Sequence, residues 1–267
     1  MKSPSRMFLA VANLAGFIAA IVVNALSTTI PLGGKTPGQL SDQYPNLFVP
    51  SGLTFSIWGV IYILLAIYVV YSFVFSARKP VQKDSFMETI GILFLFTCLA
   101  NLGWIFAWQY QILPLSLVLM IILLVALILI YVRLKVGNSN AASIEKYLVH
   151  LPFSVYLGWI SIATIANVTA VLTAYRWNRF GLSEQLWAVI MIVIGIALAI
   201  IILFHKKDIF YALVVDWALL GIFLKRIADA AMPARAVVVT TIVGMCLITL
   251  GILVQIVRRE VYSRAGA

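Results

Sequence analysis

The side chains of this 267-residue chain that are best suited to chemistry recur at helical spacing in three apolar segments. Residues three, four and seven positions apart share one face of a helix. An indole, phenol or amide on such a face needs a hydrogen-bond partner away from water. Flat apolar walls with a few polar groups also suit a planar hydrophobic ligand. The three faces are Phe55, Trp58 and Tyr62; Asn101, Trp104 and Trp108; and Tyr156, Trp159, Ala163 and Asn167.

These aromatic faces have a simpler interpretation as core packing. Tryptophan near the end of a membrane segment also serves as an interface anchor. Either explanation suffices for a single face. Three faces with Trp and Asn at matching depth favour a shared cavity between the helices.

Asp216 is the other candidate for chemistry, because it lies near the centre of an apolar segment beside Trp217. An ionisable residue inside a membrane is costly and is a functional hypothesis by default. Asp216 is therefore a candidate proton relay, or a partner for a cationic substrate. The alternative is a hydrogen-bonded aspartate that holds neighbouring helices together.

The composition excludes a soluble globular enzyme and a disordered chain. Hydrophobic residues make up 63% of the sequence, charged residues 10%, and the mean hydropathy is +1.07. A soluble domain has about half its residues apolar and about a quarter charged. The net charge of +10 comes from basic residues in short loops, which is typical of cytoplasmic membrane loops and predicts no nucleic-acid partner.

No catalytic or metal site is predicted. Cys98 and Cys246 fall inside apolar segments, and His150 and His205 make no ligand spacing. Phosphate-loop, zinc-protease and nucleophile-elbow motifs are absent from the sequence, and so is a lysine in the middle of a segment.

The chain is predicted to be all-α, a polytopic transmembrane helix bundle. Apolar runs of about 20 residues are long enough to cross a bilayer. Eight such runs occur, and the count falls to seven if the short, Asp216-containing run 209–224 does not cross. The eight predicted spans are 7–30, 53–77, 86–109, 113–134, 147–174, 185–204, 209–224 and 236–257.

Eight crossings divide the basic residues unevenly between the two sides. The richer side should be cytoplasmic, which places both termini in the cytoplasm. It carries Lys2, Arg6, Arg78, Lys79, Lys83, Arg133, Lys135, Lys146, Lys206, Lys207, Arg258, Arg259 and Arg264. The poorer side carries Lys35, Arg176, Arg179, Lys225, Arg226 and Arg235.

Three stretches together resemble the TspO/MBR family, the tryptophan-rich sensory protein and translocator protein family. Residues 48–62 look like its second-helix signature, and residues 101–104 resemble its N-x-x-W motif. Residues 156–167 are similar to its helix-five run Y-L-x-W-x-x-F-x-T-x-L-N. The order and spacing agree over about residues 7–178. The chain departs from the pattern in keeping only one proline of a pair, Pro50, and in having Ile162 where the family has phenylalanine.

The resemblance implies a five-helix ligand-binding core over residues 1–178, with additional transmembrane helices over 179–267. It implies a pocket for a porphyrin, another tetrapyrrole or a sterol-like molecule, covered by the loop at about 31–52. A protein with such a pocket would act as a receptor, sensor or carrier. The ligand-binding residues it implies, extended along the aromatic faces, are Phe48, Pro50, Trp58, Tyr62, Asn101, Trp104, Trp108, Trp159, Ala163, Ala166 and Asn167.

Two other functions stay open. One is proton-coupled secondary transport that uses Asp216. The other is light-dependent breakdown of a bound tetrapyrrole, which only the resemblance supports. We expect no required cofactor. The expected partners are the lipid bilayer and a hydrophobic small molecule, and the family resemblance also suggests a homodimer. The expected location is the cytoplasmic membrane of a prokaryote.

Overall fold

The computed structural model describes residues 6–30, 32–77, 85–229 and 234–265, with side chains described as far as residue 258. Within these ranges all regular structure is helical, which confirms the predicted all-α bundle. Several basic residues used to assign the cytoplasmic side, namely Lys2, Arg78, Lys79 and Lys83, lie outside the described residues, and the side chains of Arg259 and Arg264 lie beyond residue 258.

Eight helices of 17 residues or more make up the bundle within the described ranges. Shorter helical turns lie between them, at Pro37–Asp42, Gly52–Ser56, Phe86–Ile90, Ser143–Glu145, Lys146–His150 and Arg179–Gly181. The long helices are α1 (Arg6–Thr29), α2 (Ile57–Ser76), α3 (Leu93–Gln109), α4 (Leu113–Arg133), α5 (Leu151–Ala174), α6 (Glu184–His205), α7 (Ile209–Ala228) and α8 (Arg235–Ala265).

By length and composition, six of the described helical segments could each cross a membrane, against the eight predicted spans, or seven if 209–224 does not cross. The predicted span 86–109 is interrupted at Gly91, whose φ of 56° ends the helix Phe86–Ile90, so α3 retains only 17 residues. The predicted span 209–224 lies in α7, a 20-residue helix that carries Asp216, Lys225 and Arg226. Both α3 and α7 still pack as full helices of the bundle.

Helix α5 lies at the centre of the bundle. Every residue from 152 to 162 is buried, because α2, α4 and α7 pack around this part of the helix. A helix that is apolar on all sides is expected to be buried in this way. Gly158 permits the close approach of α7, since a Cβ there would lie 3.1 Å from the carbonyl oxygen of Tyr211. The outer helices instead expose apolar side chains, for example Val70 and Leu99, as expected for a surface that faces lipid.

Polar side chains fix where several helices begin and how they pair. Asp208 caps α7 by accepting from the backbone N–H groups of Phe210 and Tyr211, at 3.0 and 3.2 Å. Inside the bundle, the Asn24 Nδ2 of α1 donates to the Asn101 Oδ1 of α3 over 2.7 Å. Interhelical bonds of this kind hold membrane helices in register.

Candidate ligand site

The three predicted aromatic faces meet in one place, between α2, α3 and α5. Side chains from each face line a single cavity, and Ser41 and Pro50 close it from the segment before α2. Residues 32–56, which run from the end of α1 to the start of α2, are called the covering segment below. The cavity is lined by Ser41, Pro50, Phe55, Trp58, Trp104, Trp108, Trp159, Ile162, Ala163, Ala166 and Asn167.

Three indoles form a row of nearly parallel rings along one wall. Trp104 lies between Trp58 and Trp108, with ring centroids 6.0 Å from each and interplanar angles of 28° and 16°. Trp159 from α5 meets Trp58 edge-on, at 6.3 Å and 82°. Both arrangements are favourable for aromatic rings, so the cluster stabilises the bundle as it stands.

Two of these indoles have buried N–H groups without a hydrogen-bond partner within the described residues. They are the Nε1 atoms of Trp104 and Trp159, which come from α3 and α5. A buried donor left unpaired costs about 1–3 kcal/mol. The neighbouring Trp108 is satisfied, because its Nε1 donates to the Pro37 carbonyl oxygen over 3.2 Å. Both tryptophans line the cavity, and an acceptor on a guest molecule that reached these N–H groups would pair them.

The α4 and α5 side of the cavity combines an amide with small side chains. Ser116 of α4 donates to the Oδ1 of Asn167 over 3.3 Å, which orients the Asn167 side chain. Ala163 and Ala166 lie on the same wall and leave room that a larger residue would fill. This is the mixture of flat apolar surface and a few placed polar groups that is expected of a ligand pocket.

The open space inside this lining is small. The cavity volume is about 40 Å³, enough for a few water molecules at about 10–15 Å³ each. Pockets for drug-sized ligands are about 300–1,000 Å³. In this conformation the indoles pack mainly against one another, so a macrocycle enters only if the covering segment or the aromatic side chains move.

Eight of the eleven predicted ligand residues line this cavity, and Phe48, Tyr62 and Asn101 do not. Phe48 is buried in the core at 2% exposure. Tyr62 stacks on Trp58 at a centroid distance of 5.5 Å, behind the cavity wall. Asn101 accepts hydrogen bonds from Asn24 and, at 3.5 Å, from the Tyr62 hydroxyl, so its oxygen serves helix pairing.

Three lining residues were not among the predicted ligand residues. Phe55 belongs to the aromatic face predicted for α2, and Ile162 lies three positions after Trp159, so helical spacing marks both of them. Ser41 reaches the cavity from the short helix Pro37–Asp42, and no sequence pattern indicated it.

The covering segment is held down by bonds to two parts of the bundle. The α3 end contributes Gln109, Trp108 and Gln111, and α7 contributes Trp217, Gly221 and Lys225. Burial raises the pKa of the Tyr44 phenol, which favours its protonated, hydrogen-bond-donating form. The bonds are Gly33 N to Gln109 Oε1 at 3.0 Å, Trp108 Nε1 to Pro37 O at 3.2 Å, Tyr44 hydroxyl to Gln111 Oε1 at 3.0 Å, Trp217 Nε1 to Thr54 O at 3.0 Å, Ser51 N to Gly221 O at 3.0 Å, and an ion pair between Lys225 and Asp42.

Asp216, the predicted proton relay, lies away from this cavity at the contact between α7 and α8. Its Oδ2 accepts from the Thr249 hydroxyl over 3.2 Å, and its Oδ1 is buried without a partner within the described residues. Asp216 is therefore placed to hold α7 against α8, and it does not line the indole cavity.

The sequence model of the family described as TSPO-like protein matches residues 10–254. Because the match covers most of the chain, the protein belongs to the TSPO-like family. The matched region runs through α6, α7 and into α8, so it includes the helices after residue 178. Searches of curated proteins and of solved structures found no match to the chain.

Proposed function

We propose that this TSPO-like membrane protein binds a planar hydrophobic ligand, of the porphyrin or tetrapyrrole kind, in the indole-lined cavity. The observation that carries the proposal is that Trp104 and Trp159, which line the cavity from α3 and α5, each have a buried indole N–H without a partner within the described residues. Carboxylate or carbonyl oxygens on a ligand would pair these donors, and its ring face would lie against the indoles. The role that follows is that of a receptor, sensor or carrier.

Binding in this proposal requires an opened state. The covering segment is held by hydrogen bonds and one ion pair, each worth about 0.5–1.5 kcal/mol net, and by burial of Leu40, Leu47, Phe48 and Val49. Opening it therefore breaks these bonds and exposes apolar side chains. Opening also frees the space beside Ala163 and Ala166 on α5. Ligand affinity then includes the cost of this opening.

The test is a titration of the purified protein with protoporphyrin IX, followed by quenching of tryptophan fluorescence. Trp159→Phe keeps a ring and removes the N–H, so Kd should rise about fivefold for one lost hydrogen bond. Trp159→Ala also removes the indole surface that lines the cavity, so it should weaken binding further. Trp187→Phe is the matched control, because Trp187 packs against Trp177 at 4.7 Å and does not line the cavity.

Equal affinity of the two Trp159 variants, the control and the unaltered protein would contradict the proposal. The same complex held under illumination separates binding from breakdown, because breakdown bleaches the porphyrin absorption and binding alone does not.

A second candidate, proton-coupled transport, is favoured by one observation. The Oδ1 of Asp216 is buried and has no partner in the part of the chain that the structure describes, and its helix packs within the bundle. Such an acid is a candidate site for proton uptake. Flux in liposomes that changes with pH and is lost in Asp216→Asn would establish this function. Flux indifferent to that substitution would exclude it.

We further propose the orientation in which both termini face the cytoplasm. The basic turns at the ends of α4 and α6 support it, since they would then lie on the cytoplasmic side. Reporter fusions at each terminus test this orientation. Activity of a reporter that works only on the side of the membrane opposite the cytoplasm would overturn it.

A further inference from the structure

A second cavity lies at the first turn of α5, away from the indole site. It has a volume of about 400 Å³, ten times that of the indole-lined cavity. Its walls come from the turn after α4, the start of α5 and the turn between α6 and α7. It is lined by Val136, Gly137, Ser139, Ser143, Lys146, Tyr147, His150, Leu151, Ser154, Lys207, Asp208, Ile209 and Phe210.

The two turns that form this cavity are fitted to each other. Gly137 has a φ of 82°, and a Cβ at this position would lie 1.6 Å from the carbonyl oxygen of Lys206. Only glycine permits both the positive φ and this backbone contact. The Nδ2 of Asn138 also donates to the His205 carbonyl oxygen over 3.4 Å. Specific contacts between these two turns therefore define the cavity at this end of the bundle.

Among the described residues that line the cavity, Asp208 is the one acid, and its carboxylate is already saturated with hydrogen bonds. Asp208 is 5% exposed. Its Oδ2 accepts from the Tyr131 hydroxyl at 2.8 Å, and the Ser154 hydroxyl lies within 2.7 Å of both carboxylate oxygens. Its Oδ1 also accepts from the N–H groups that it caps in α7. A cation would have to compete with all these donors, so this carboxylate does not favour a cation site.

The remaining polar groups on the wall are mainly donors. His150 is 4% exposed, and its Nε2 makes no hydrogen bond within the described residues; the nearest acid oxygen, Oε1 of Glu145, is 3.7 Å away. The buried hydroxyl of Ser139 has no partner in the same part of the chain either. Lys146 is exposed at the rim and belongs to a single π-helical turn, a feature frequent at functional sites.

The charge around the cavity is positive. Residues 133–154 and 205–210 carry five Lys or Arg against two Asp or Glu, the latter being Glu145 and Asp208. Basic pockets between membrane helices bind anionic phosphate head groups. We propose that this cavity binds an anionic phosphate group, held by the ammonium groups of Lys146 and Lys207 and by the free donors of His150 and Ser139. A phospholipid head group and a free phosphate supply the same chemistry.

The test compares two pairs of lysines in the same two turns. Lys146→Gln with Lys207→Gln removes the cavity pair, and Lys135→Gln with Lys206→Gln removes the same charge outside the lining. Full-length protein in detergent is titrated with phosphatidylglycerol, phosphatidylcholine and inorganic phosphate. Bound lipid is counted by native mass spectrometry, and phosphate binding is followed by the shift in thermal unfolding.

The expected result is a roughly fivefold loss of affinity for each cavity lysine, corresponding to about 1 kcal/mol each near a membrane surface. Lys146→Arg with Lys207→Arg should retain binding. A selective loss for phosphatidylglycerol identifies a lipid head group as the source, and a selective loss for inorganic phosphate identifies a free anion. If the cavity pair does not fold, Lys146→Gln alone carries the test, because that residue is exposed. Equal affinities in the cavity and control variants, or no binding of either anionic probe, would overturn the proposal.

Discussion

The indole N–H of Trp217 in α7 donates to the carbonyl oxygen of Thr54 over 3.0 Å. Thr54 belongs to the last turn of the covering segment, 163 residues earlier in the chain. This bond joins the cover of the indole-lined cavity to a helix outside the predicted five-helix core. The mobility of the cover is therefore expected to depend on α7.

Trp217→Phe should loosen the covering segment, because the phenyl ring keeps the packing and loses the donor. One hydrogen bond is worth about 0.5–1.5 kcal/mol. Hydrogen exchange of the backbone amides at 51–56 should accelerate about fivefold, as measured by mass spectrometry. Thr249→Val removes the bond between α7 and α8 and leaves the Thr54 contact in place, so it is the control. Unchanged exchange in Trp217→Phe would show that the bond does not restrain the segment.

Gly221→Ala should displace the same segment by steric conflict. A Cβ at Gly221 would lie 1.9 Å from the Thr54 Oγ1, and the Gly221 carbonyl already accepts from Ser51 N. Overpacking of this kind costs about 1–3 kcal/mol, which should lower the unfolding temperature.

Gly59→Ala is the matched control for that substitution. No atom lies within 4 Å of a Cβ at Gly59, which is in the first turn of α2. Its unfolding temperature should stay level or rise, because alanine favours a helix over glycine. If the two variants have the same unfolding temperature, the close contact between position 221 and Thr54 does not destabilise the Gly221→Ala protein.

The amide pair of Asn24 and Asn101 should show measurable coupling. The two residues join α1 to α3 at 2.7 Å, and Asn24 also donates to its own helix at the Ala20 carbonyl oxygen. Interhelical hydrogen bonds in membrane proteins are worth about 0.6–2 kcal/mol. A double-mutant cycle with Asn24→Ala and Asn101→Ala, read as the free energy of unfolding, should return a coupling in that range. Additive effects would mean that each asparagine acts through other contacts.

Asp208→Ala should be among the most damaging single changes outside the apolar core. It removes the cap of α7 and leaves the buried Tyr131 and Ser154 hydroxyls without their acceptor. The lost cap costs about 1 kcal/mol, and each unpaired buried group adds about 1–3 kcal/mol.

Ser183→Ala, at the cap of α6, is the comparison for Asp208→Ala. Ser183 accepts only from Leu186 N among the described contacts of its side chain, so only about 1 kcal/mol should be lost. Thermal unfolding in detergent measures both variants. Comparable losses at the two caps would show that the hydroxyl bonds to Asp208 contribute little.

The helical architecture and the inward aromatic faces follow from the sequence alone. A chain this apolar must satisfy its backbone internally in lipid, which leaves helices as the structure for its apolar segments. Spacing of three and four positions placed Trp58, Trp104 and Trp159 on inward faces, because indole N–H groups avoid hydrocarbon. These three residues line one cavity, and the all-α bundle is confirmed.

Local spacing did not decide which inward side chains border the cavity and which only fill the core. Asn101 shares a face with Trp104, yet its amide oxygen accepts from Asn24 of another helix. Likewise, Gly91 interrupts an apolar run that by hydropathy resembled one span, because a positive φ ends the helix there.

Only the tertiary structure decided how the site is closed. The cover of the cavity is held by Trp217, Gly221 and Lys225 of α7, which a sequence pattern cannot connect to residues 42–54. The second cavity likewise depends on Gly137 meeting the backbone of Lys206. Periodicity reports which side of a helix faces inward, because it is a property of one segment. Contacts between segments far apart in the chain depend on how the whole bundle packs.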